Sequence, residues 1–133
     1  MDRLIHHGFI LAGLTNIGGI LLFSAFFTNE HMVNTDPLLF NSFGMLMIIL
    51  WGLAYIATAG AWRMMRPLVA VFAIEKLAYG WAWILWISAN GNQLDAIFDA
   101  SLLAGAFYSV YGVIDLTFCA FFSLVWLRAG KPA

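Results

Sequence analysis

Charged residues and cysteine are scarce in this sequence. Asp, Glu, Lys and Arg make up 10% of its 133 residues, whereas soluble domains contain about 25%. The single cysteine, Cys119, excludes an intramolecular disulfide and a cysteine-based metal cluster. The net charge of −1 gives no basic surface for nucleic acid. We therefore expect neither a disulfide-stapled domain nor a nucleic-acid-binding protein.

Hydrophobic residues, in contrast, are abundant. They make up 63% of the sequence, whereas soluble domains contain about 45–50%. A spanning helix needs about 20 mainly apolar residues. Four stretches meet this condition, at about residues 4–27, 38–62, 68–89 and 101–127. The sequence predicts an all-α, four-helix transmembrane bundle that forms a single membrane domain over residues 1–133.

The segments between these spans contain helix-start and turn residues. Pro37 follows a polar segment and suits the first turn of a helix, as does Pro67 after the second span. Leu94, Ile97 and Phe98 recur at helical spacing, which predicts a short helix lying in the membrane interface. The first apolar run is longer than a typical signal-peptide core, so we expect it to be retained.

Basic residues predict the orientation of the chain. Arg3 precedes the first span, a second group lies between spans two and three, and Arg128 and Lys131 follow span four. The two opposite loops carry acidic residues but no Lys or Arg. Because cytoplasmic loops are enriched in basic residues, we expect both termini in the cytoplasm and a multi-pass protein of a bacterial-type inner (plasma) membrane.

Ionisable and polar residues also occur inside the predicted spans, where they usually face the protein interior and mark a function. Counting at 1.5 Å per residue from the basic flanks places them near mid-membrane. All four spans contribute to this level: Asn16, Tyr55, Glu75, Lys76, Tyr79 and Asp115. This common depth predicts a central polar pocket. A purely structural polar network is the alternative interpretation.

Lys76 and Asp115 allow specific expectations. The Lys76 side chain leans toward the N-terminus of its helix, so we expect it to snorkel to the cytoplasmic interface. Asp115 would then have only the neutral donors Tyr55, Tyr79 and Asn16 at compatible depth. Desolvation would favour its neutral form. We therefore predict that Asp115 is protonated, or shares a proton, near neutral pH.

Aromatic and histidine residues give weaker indications. Trp83 and Trp86 lie deep in the third span of this tryptophan-rich chain and are candidates for lining the pocket, although filling the bundle or facing lipid is the preferred interpretation. The spans contain no mid-membrane histidine that would favour a b-type haem, and the acidic residues around His31 match no closed metal site. No cofactor and no metal are expected.

In size and predicted topology the chain resembles small four-span bacterial membrane proteins of the DoxX-like kind, although the lysine pattern associated with those proteins is absent. With Glu75, Asp115 and the nearby tryptophans it also resembles, more distantly, the four-helix sterol-isomerase and sigma-2-like group. These resemblances imply a four-helix membrane fold and, for the second group, buried carboxylates among aromatic rings.

The main functional hypothesis is a non-enzymatic membrane protein whose polar pocket binds a small lipophilic ligand, or a proton or cation. The candidate ligand-binding residues are Glu75, Tyr79, Asp115, Tyr55, Asn16, Trp83 and Trp86. One alternative is an accessory or scaffold subunit, either as a homo-oligomer or within a larger membrane complex. Another is an enzyme that uses a buried carboxyl as acid or base on a lipid-soluble substrate. A cavity that reaches Glu75 and Asp115 would favour a pocket over a sealed network.

Overall fold

In a computed structural model, which describes residues 1–132, the chain is mainly helical and contains no strand among these residues. Seven α-helices follow one another: α1 (Asp2–Phe23), α2 (Glu30–Thr35), α3 (Pro37–Phe40), α4 (Ser42–Thr58), α5 (Arg66–Asn90), α6 (Leu94–Ala100) and α7 (Leu102–Ala129). A single 3₁₀ turn, Gly91–Gln93, joins α5 to α6. The prediction of an all-α protein is confirmed.

The long helices pack in two antiparallel pairs, α1 with α4 and α5 with α7, and α1 also meets α7. At one end of the molecule, Arg63 donates two hydrogen bonds to Asp2, at 2.9 and 2.8 Å. Arg128 lies 3.7 Å from the same carboxylate. These contacts bring the start of α1, the α4–α5 connection and the end of α7 together. We call this end of the molecule the basic end.

Helix α1 ends four residues earlier than the predicted first span. After Phe23 the chain leaves the helix, and Ala25, Phe26 and Phe27 have positive φ angles of 48°, 55° and 68°. Each such residue costs about 1–2 kcal/mol when it carries a side chain. The Ser24 hydroxyl accepts a hydrogen bond from the Phe27 amide at 2.9 Å, which helps to hold this turn. The apolar pattern alone gave no sign of it.

Helix α4 is shorter than the predicted second span at both ends. Pro37 does begin a helix, but this helix, α3, ends at Phe40. Asn41 then caps α4 by accepting a hydrogen bond from the Gly44 amide at 2.7 Å. The 17 residues of α4 extend for about 26 Å at 1.5 Å per residue, slightly less than the ~30 Å hydrocarbon core.

Three helical segments are long and apolar enough to cross a membrane, namely Asp2–Phe23, Arg66–Ala100 and Leu102–Ala129, and α4 is a shorter apolar helix. This composition is typical of a membrane protein. The helix predicted around Leu94, Ile97 and Phe98 is present as α6. The structure contains no membrane, so the interfacial position of α6 stays a prediction.

Two clusters of buried side chains fill the space between the helices. The basic-end core contains Phe9, Tyr55, Trp62, Phe72 and Phe122 among others. The opposite core is built around Met32, Phe40, Phe107, Tyr108 and Tyr111. Short helices α2 and α3 supply Met32 and Phe40, and the Met32 carbonyl accepts a hydrogen bond from the Tyr108 hydroxyl at 2.6 Å. The polar residues considered next lie between these two cores.

Candidate functional site

A close approach of two backbones brings α1 against α4. A Cβ atom at Gly13 would lie 2.5 Å from the Gly52 carbonyl oxygen, so only glycine fits at this crossing. One turn further along α1, buried Asn16 donates a hydrogen bond from Nδ2 to the Ile48 carbonyl oxygen at 3.0 Å. This bond fixes the orientation of the Asn16 side chain and leaves its Oδ1 free to accept another.

Lys76 occupies the centre of the polar cluster. Its Nζ donates to Asn16 Oδ1 and to Asp115 Oδ1, both at 2.8 Å, and so connects α1, α5 and α7. The Lys76 side chain is only 2% exposed. The expectation that Lys76 snorkels is therefore wrong. Nearly three turns of helix lie between Lys76 and the start of α5 at Arg66, so the buried Asp115 carboxylate is a closer partner than the interface.

The partner of Asp115 also differs from the expected one. Lys76 binds its carboxyl group, in place of the neutral donors Tyr55, Tyr79 and Asn16. An ammonium group at this distance favours the ionised carboxylate, which removes the premise on which a protonated Asp115 was predicted. The Asp115 side chain is 14% exposed, so the ion pair with Lys76 does not bury it completely.

Glu75 forms its hydrogen bond with a different residue from those that bind its neighbour Lys76. The Tyr55 hydroxyl of α4 donates a short hydrogen bond to Glu75 Oε2, and both residues are buried. No lysine or arginine nitrogen lies within ion-pair distance of Glu75 among residues 1–132. The cluster therefore holds two carboxyl groups, those of Glu75 and Asp115, and one ammonium group.

A cavity of about 80 Å³ reaches this cluster between α1 and α7. Asn16, Glu75, Lys76, Tyr79, Tyr111 and Asp115 line its polar end. The remaining lining is mostly apolar and comes largely from the opposite core, including Ile20, Phe40, Ile48 and Phe107. Thr15, Gly19, Val110 and Ile114 also line it and are partly or fully exposed, so the cavity opens on the outer surface of the molecule between α1 and α7.

Tyr111 is a polar cavity residue that sequence reasoning missed. It is 6% exposed, and its hydroxyl is buried without a hydrogen-bond partner among the described residues. Buried hydroxyl groups usually have a partner, because leaving one unsatisfied costs about 1–3 kcal/mol. Tyr111 lies four residues before Asp115, on the same face of α7. This spacing was the signal in the sequence that points to it.

The predicted ligand-binding residues thus fall into two groups. Asn16, Glu75, Tyr79 and Asp115 line the cavity, whereas Tyr55, Trp83 and Trp86 do not. Tyr55 lies behind Glu75, in the basic-end core.

Trp83 packs on Gly112 and donates a hydrogen bond from Nε1 to the Tyr108 carbonyl at 2.8 Å. Trp86 stacks at a tilt on the Tyr108 ring, with centroids 4.8 Å apart. Both tryptophans are therefore held in the α5–α7 contact, Trp83 where Gly112 leaves room for it and Trp86 on Tyr108.

Comparison with known proteins adds no relative: neither the family models, nor the curated proteins, nor the solved structures contain a match to this chain.

Proposed function

We propose that this chain is a four-span membrane protein whose central cavity binds a small lipophilic ligand that enters from the bilayer between α1 and α7. The observation that carries the proposal is that a cavity lined by Glu75, Lys76 and Asp115 opens on the apolar outer surface. A purely structural network would be expected to be sealed, because every gap in a packed interior loses contacts. Intramembrane ionisable residues beside a cavity are, by default, functional.

The lining indicates the chemistry of the ligand. The apolar walls favour a hydrocarbon or aromatic body, and the polar end offers a hydroxyl donor at Tyr111 together with the carboxylate of Asp115. A cavity of about 80 Å³ holds only a small group, since pockets for whole drug-sized ligands measure about 300–1,000 Å³. The ligand therefore places a small polar head in the cavity and leaves its apolar remainder between the helices and the lipid.

The charge count of the cluster connects ligand binding to a proton or a cation. If Glu75, Lys76 and Asp115 were all ionised, the buried cluster would carry one uncompensated negative charge. An isolated buried charge is costly and is usually neutralised. Since Lys76 is held by Asp115, Glu75 is the group that carries the extra proton or takes a cation from a ligand. Infrared difference spectroscopy tests this: a protonated-carboxyl band at pH 7 should disappear in Glu75→Gln. It should persist in the double variant Lys76→Met/Asp115→Asn, which removes both members of the ion pair and so leaves the charge balance at Glu75 unchanged. A band that persists in Glu75→Gln would contradict the assignment.

The orientation of the protein forms part of the proposal. We place the basic end, and with it both termini, in the cytoplasm of a bacterial-type inner membrane, because the basic residues outside the spans all lie at this end. Cysteine labelling in intact cells should find an Ala129→Cys probe on the cytoplasmic side and an Asn92→Cys probe on the outer side. Labelling of Ala129→Cys from outside would reverse the orientation.

Two adjacent glycines provide a matched test of ligand binding. Gly18 and Gly19 of α1 both have open space around the position of a Cβ, but only Gly19 lines the cavity. We expect Gly19→Leu to fill the opening and to reduce by at least about tenfold the amount of small lipophilic molecule that copurifies with the protein, as measured by mass spectrometry of organic extracts. Gly18→Leu should leave this amount unchanged.

Other outcomes would contradict the proposal. Equal retention in the two variants would place the bound molecule outside the cavity. If natively purified wild-type protein carried nothing but bulk lipid, the cluster would be a structural network, and the scaffold alternative would gain support.

A further inference from the structure

A second, larger depression lies between α1 and α7 at the basic end of the molecule. It measures about 490 Å³, and its walls are almost entirely apolar. Leu4 and Leu11 line it from α1, and Phe121 and Leu124 line it from α7. Leu4, Leu11 and Leu124 are 70%, 59% and 66% exposed, so the depression is an open groove on the outer surface. Phe121 forms the floor where it packs on Gly8, at which no side chain would fit.

Arg128 supplies positive charge to this groove, which it lines together with His7. Arg128 forms only a long ion pair with Asp2, at 3.7 Å, because Arg63 already donates two shorter hydrogen bonds to that carboxylate. Asp2, Arg63 and Arg128 together carry a net formal charge of +1. The Arg128 side chain is 42% exposed, so its guanidinium group is accessible at the mouth of the groove. An accessible guanidinium group beside an apolar groove is suited to a phosphate with an attached hydrocarbon chain.

We infer that this groove binds one anionic phospholipid of the adjoining leaflet, with an acyl chain along Leu4, Leu11 and Leu124 and the phosphate on Arg128. From Leu4 to Leu11 the groove follows α1 for about 10 Å. This length is about two-thirds of the hydrocarbon depth of one leaflet, which is ~15 Å. The site is separate from the central cavity. It rests on the proposed function only in placing the basic end at a membrane interface.

The charge at the rim favours an anionic over a zwitterionic headgroup. Five of the six Lys and Arg residues lie at this end of the chain: Arg3, Arg63, Arg66, Arg128 and Lys131. Basic residues beside an anionic membrane surface each add attraction, but this attraction does not depend on the groove. The direct contact with Arg128 would distinguish a bound lipid from a general electrostatic effect.

Native mass spectrometry of the detergent-purified full chain provides the test. The protein is mixed with phosphatidylglycerol or with phosphatidylcholine of identical acyl chains. We expect wild type to retain one phosphatidylglycerol at least about tenfold more than phosphatidylcholine. Arg128→Gln should lose this preference. Arg3→Gln, which removes the same charge at the same end without touching the groove, should keep it.

A second pair of variants tests the groove without changing any charge. Leu11→Trp should obstruct the acyl chain and lower retention about tenfold, whereas Leu14→Trp, at another exposed leucine of α1 outside the groove, should leave it unchanged. Equal retention of the two lipids, equal losses in Arg128→Gln and Arg3→Gln, or equal losses in the two tryptophan variants would each overturn the inference. Because cysteine labelling reports orientation independently, a failure of the lipid site is distinguishable from a wrong orientation.

Discussion

At the basic end, α1 and α7 meet through aromatic rings, whereas further along the same two helices a cavity lies between them. Phe9 of α1 makes edge contacts with Phe121 and Phe122 of α7, with ring centroids 5.7 and 5.2 Å apart. On the far side of Asn16, α1 presents Gly19 to the cavity, and Gly19 has no side chain to fill it. Large residues fill the interior of the interface at the basic end, beneath the outer groove, whereas a glycine leaves the interior of the other half open.

The two halves also differ in how α4 contributes. In the basic-end core, Tyr55 and Trp62 extend the aromatic packing from α4 and the turn that follows it. In the opposite core, α4 contributes Met45 and Ile48. Because α4 begins only at Ser42, the short helices before it supply Phe40 and Met32. The polar cluster lies at the boundary between the two halves, so one side of it is packed and the other side faces the cavity.

The largest expected effect comes from the ion pair at this boundary. Lys76→Met leaves the Asp115 carboxylate without its cation and should lower the free energy of unfolding by about 3–5 kcal/mol, as for other broken buried pairs. Adding Asp115→Asn should recover much of this loss. Thermal unfolding in detergent measures both changes, with Lys131→Met as the control at an exposed lysine. Wild-type stability of Lys76→Met would mean that Lys76 reaches the interface after all.

Truncation of an aromatic ring should cost more in the sealed half than beside the cavity. Phe122 is fully buried between Phe9, Tyr55 and Phe72. Phe122→Ala should cost about 3 kcal/mol, at the lower end of the soluble range, because lipid or detergent surrounds the separated helices. Phe107→Ala should cost about half as much, since Phe107 borders the cavity and already lacks neighbours on one side. Equal losses in unfolding free energy would contradict the contrast between the two halves.

Removal of the Tyr55 hydroxyl tests the packed side of the cluster. Tyr55→Phe leaves the Glu75 carboxyl without its donor and should cost about 1–3 kcal/mol of unfolding free energy. A further Glu75→Leu change should relieve part of this cost, because it removes the carboxyl group that Tyr55→Phe leaves buried without its donor. Strictly additive losses in the double variant would show that the two side chains do not interact.

Removal of the Tyr111 hydroxyl tests the open side, where the smallest loss of stability is expected. This hydroxyl is buried and has no partner within residues 1–132. Tyr111→Phe should therefore not lower the unfolding free energy of the ligand-free protein, and should raise it by about 1 kcal/mol, because an unsatisfied buried group is removed. Retention of the copurifying ligand should nevertheless fall, because the ring stays and only the hydrogen bond is lost. A stability loss as large as that of Tyr55→Phe would reveal an intramolecular partner and argue against a ligand.

The sequence predicted the helical class, the short helix α6 and the polar level at which Asn16, Lys76 and Asp115 meet, because these depend on hydrophobic run length and on residue counting along a helix. It did not predict that Lys76 binds Asp115. That contact depends on the rotation of α5 relative to α7, which depth alone does not determine. The positive-φ turn after Phe23 escaped prediction for a related reason, since its residues are as apolar as the helix before them.

For Trp83 and Trp86, too, depth in the span did not determine which way the side chains face. Their depth and chemistry were suitable for a pocket, but Trp83 packs on Gly112 and Trp86 packs on the Tyr108 ring, both in the α5–α7 contact. Tyr111, one turn from Asp115, takes the place beside the cavity. Which aromatic side chain lines a cavity is decided by the rotation of each helix and by the sizes of the facing residues.

A high-resolution density map of the natively purified protein in a lipid nanodisc would show whether the cavity holds a ligand. We predict non-protein density in the cavity between Gly19 and Tyr111, within hydrogen-bond distance of the Tyr111 hydroxyl or the Asp115 carboxylate. We also predict that Lys76 bridges Asn16 and Asp115. A map in which Phe23, Phe107 and Val110 close over the cluster, with no room and no density beside Tyr111, would contradict the ligand prediction.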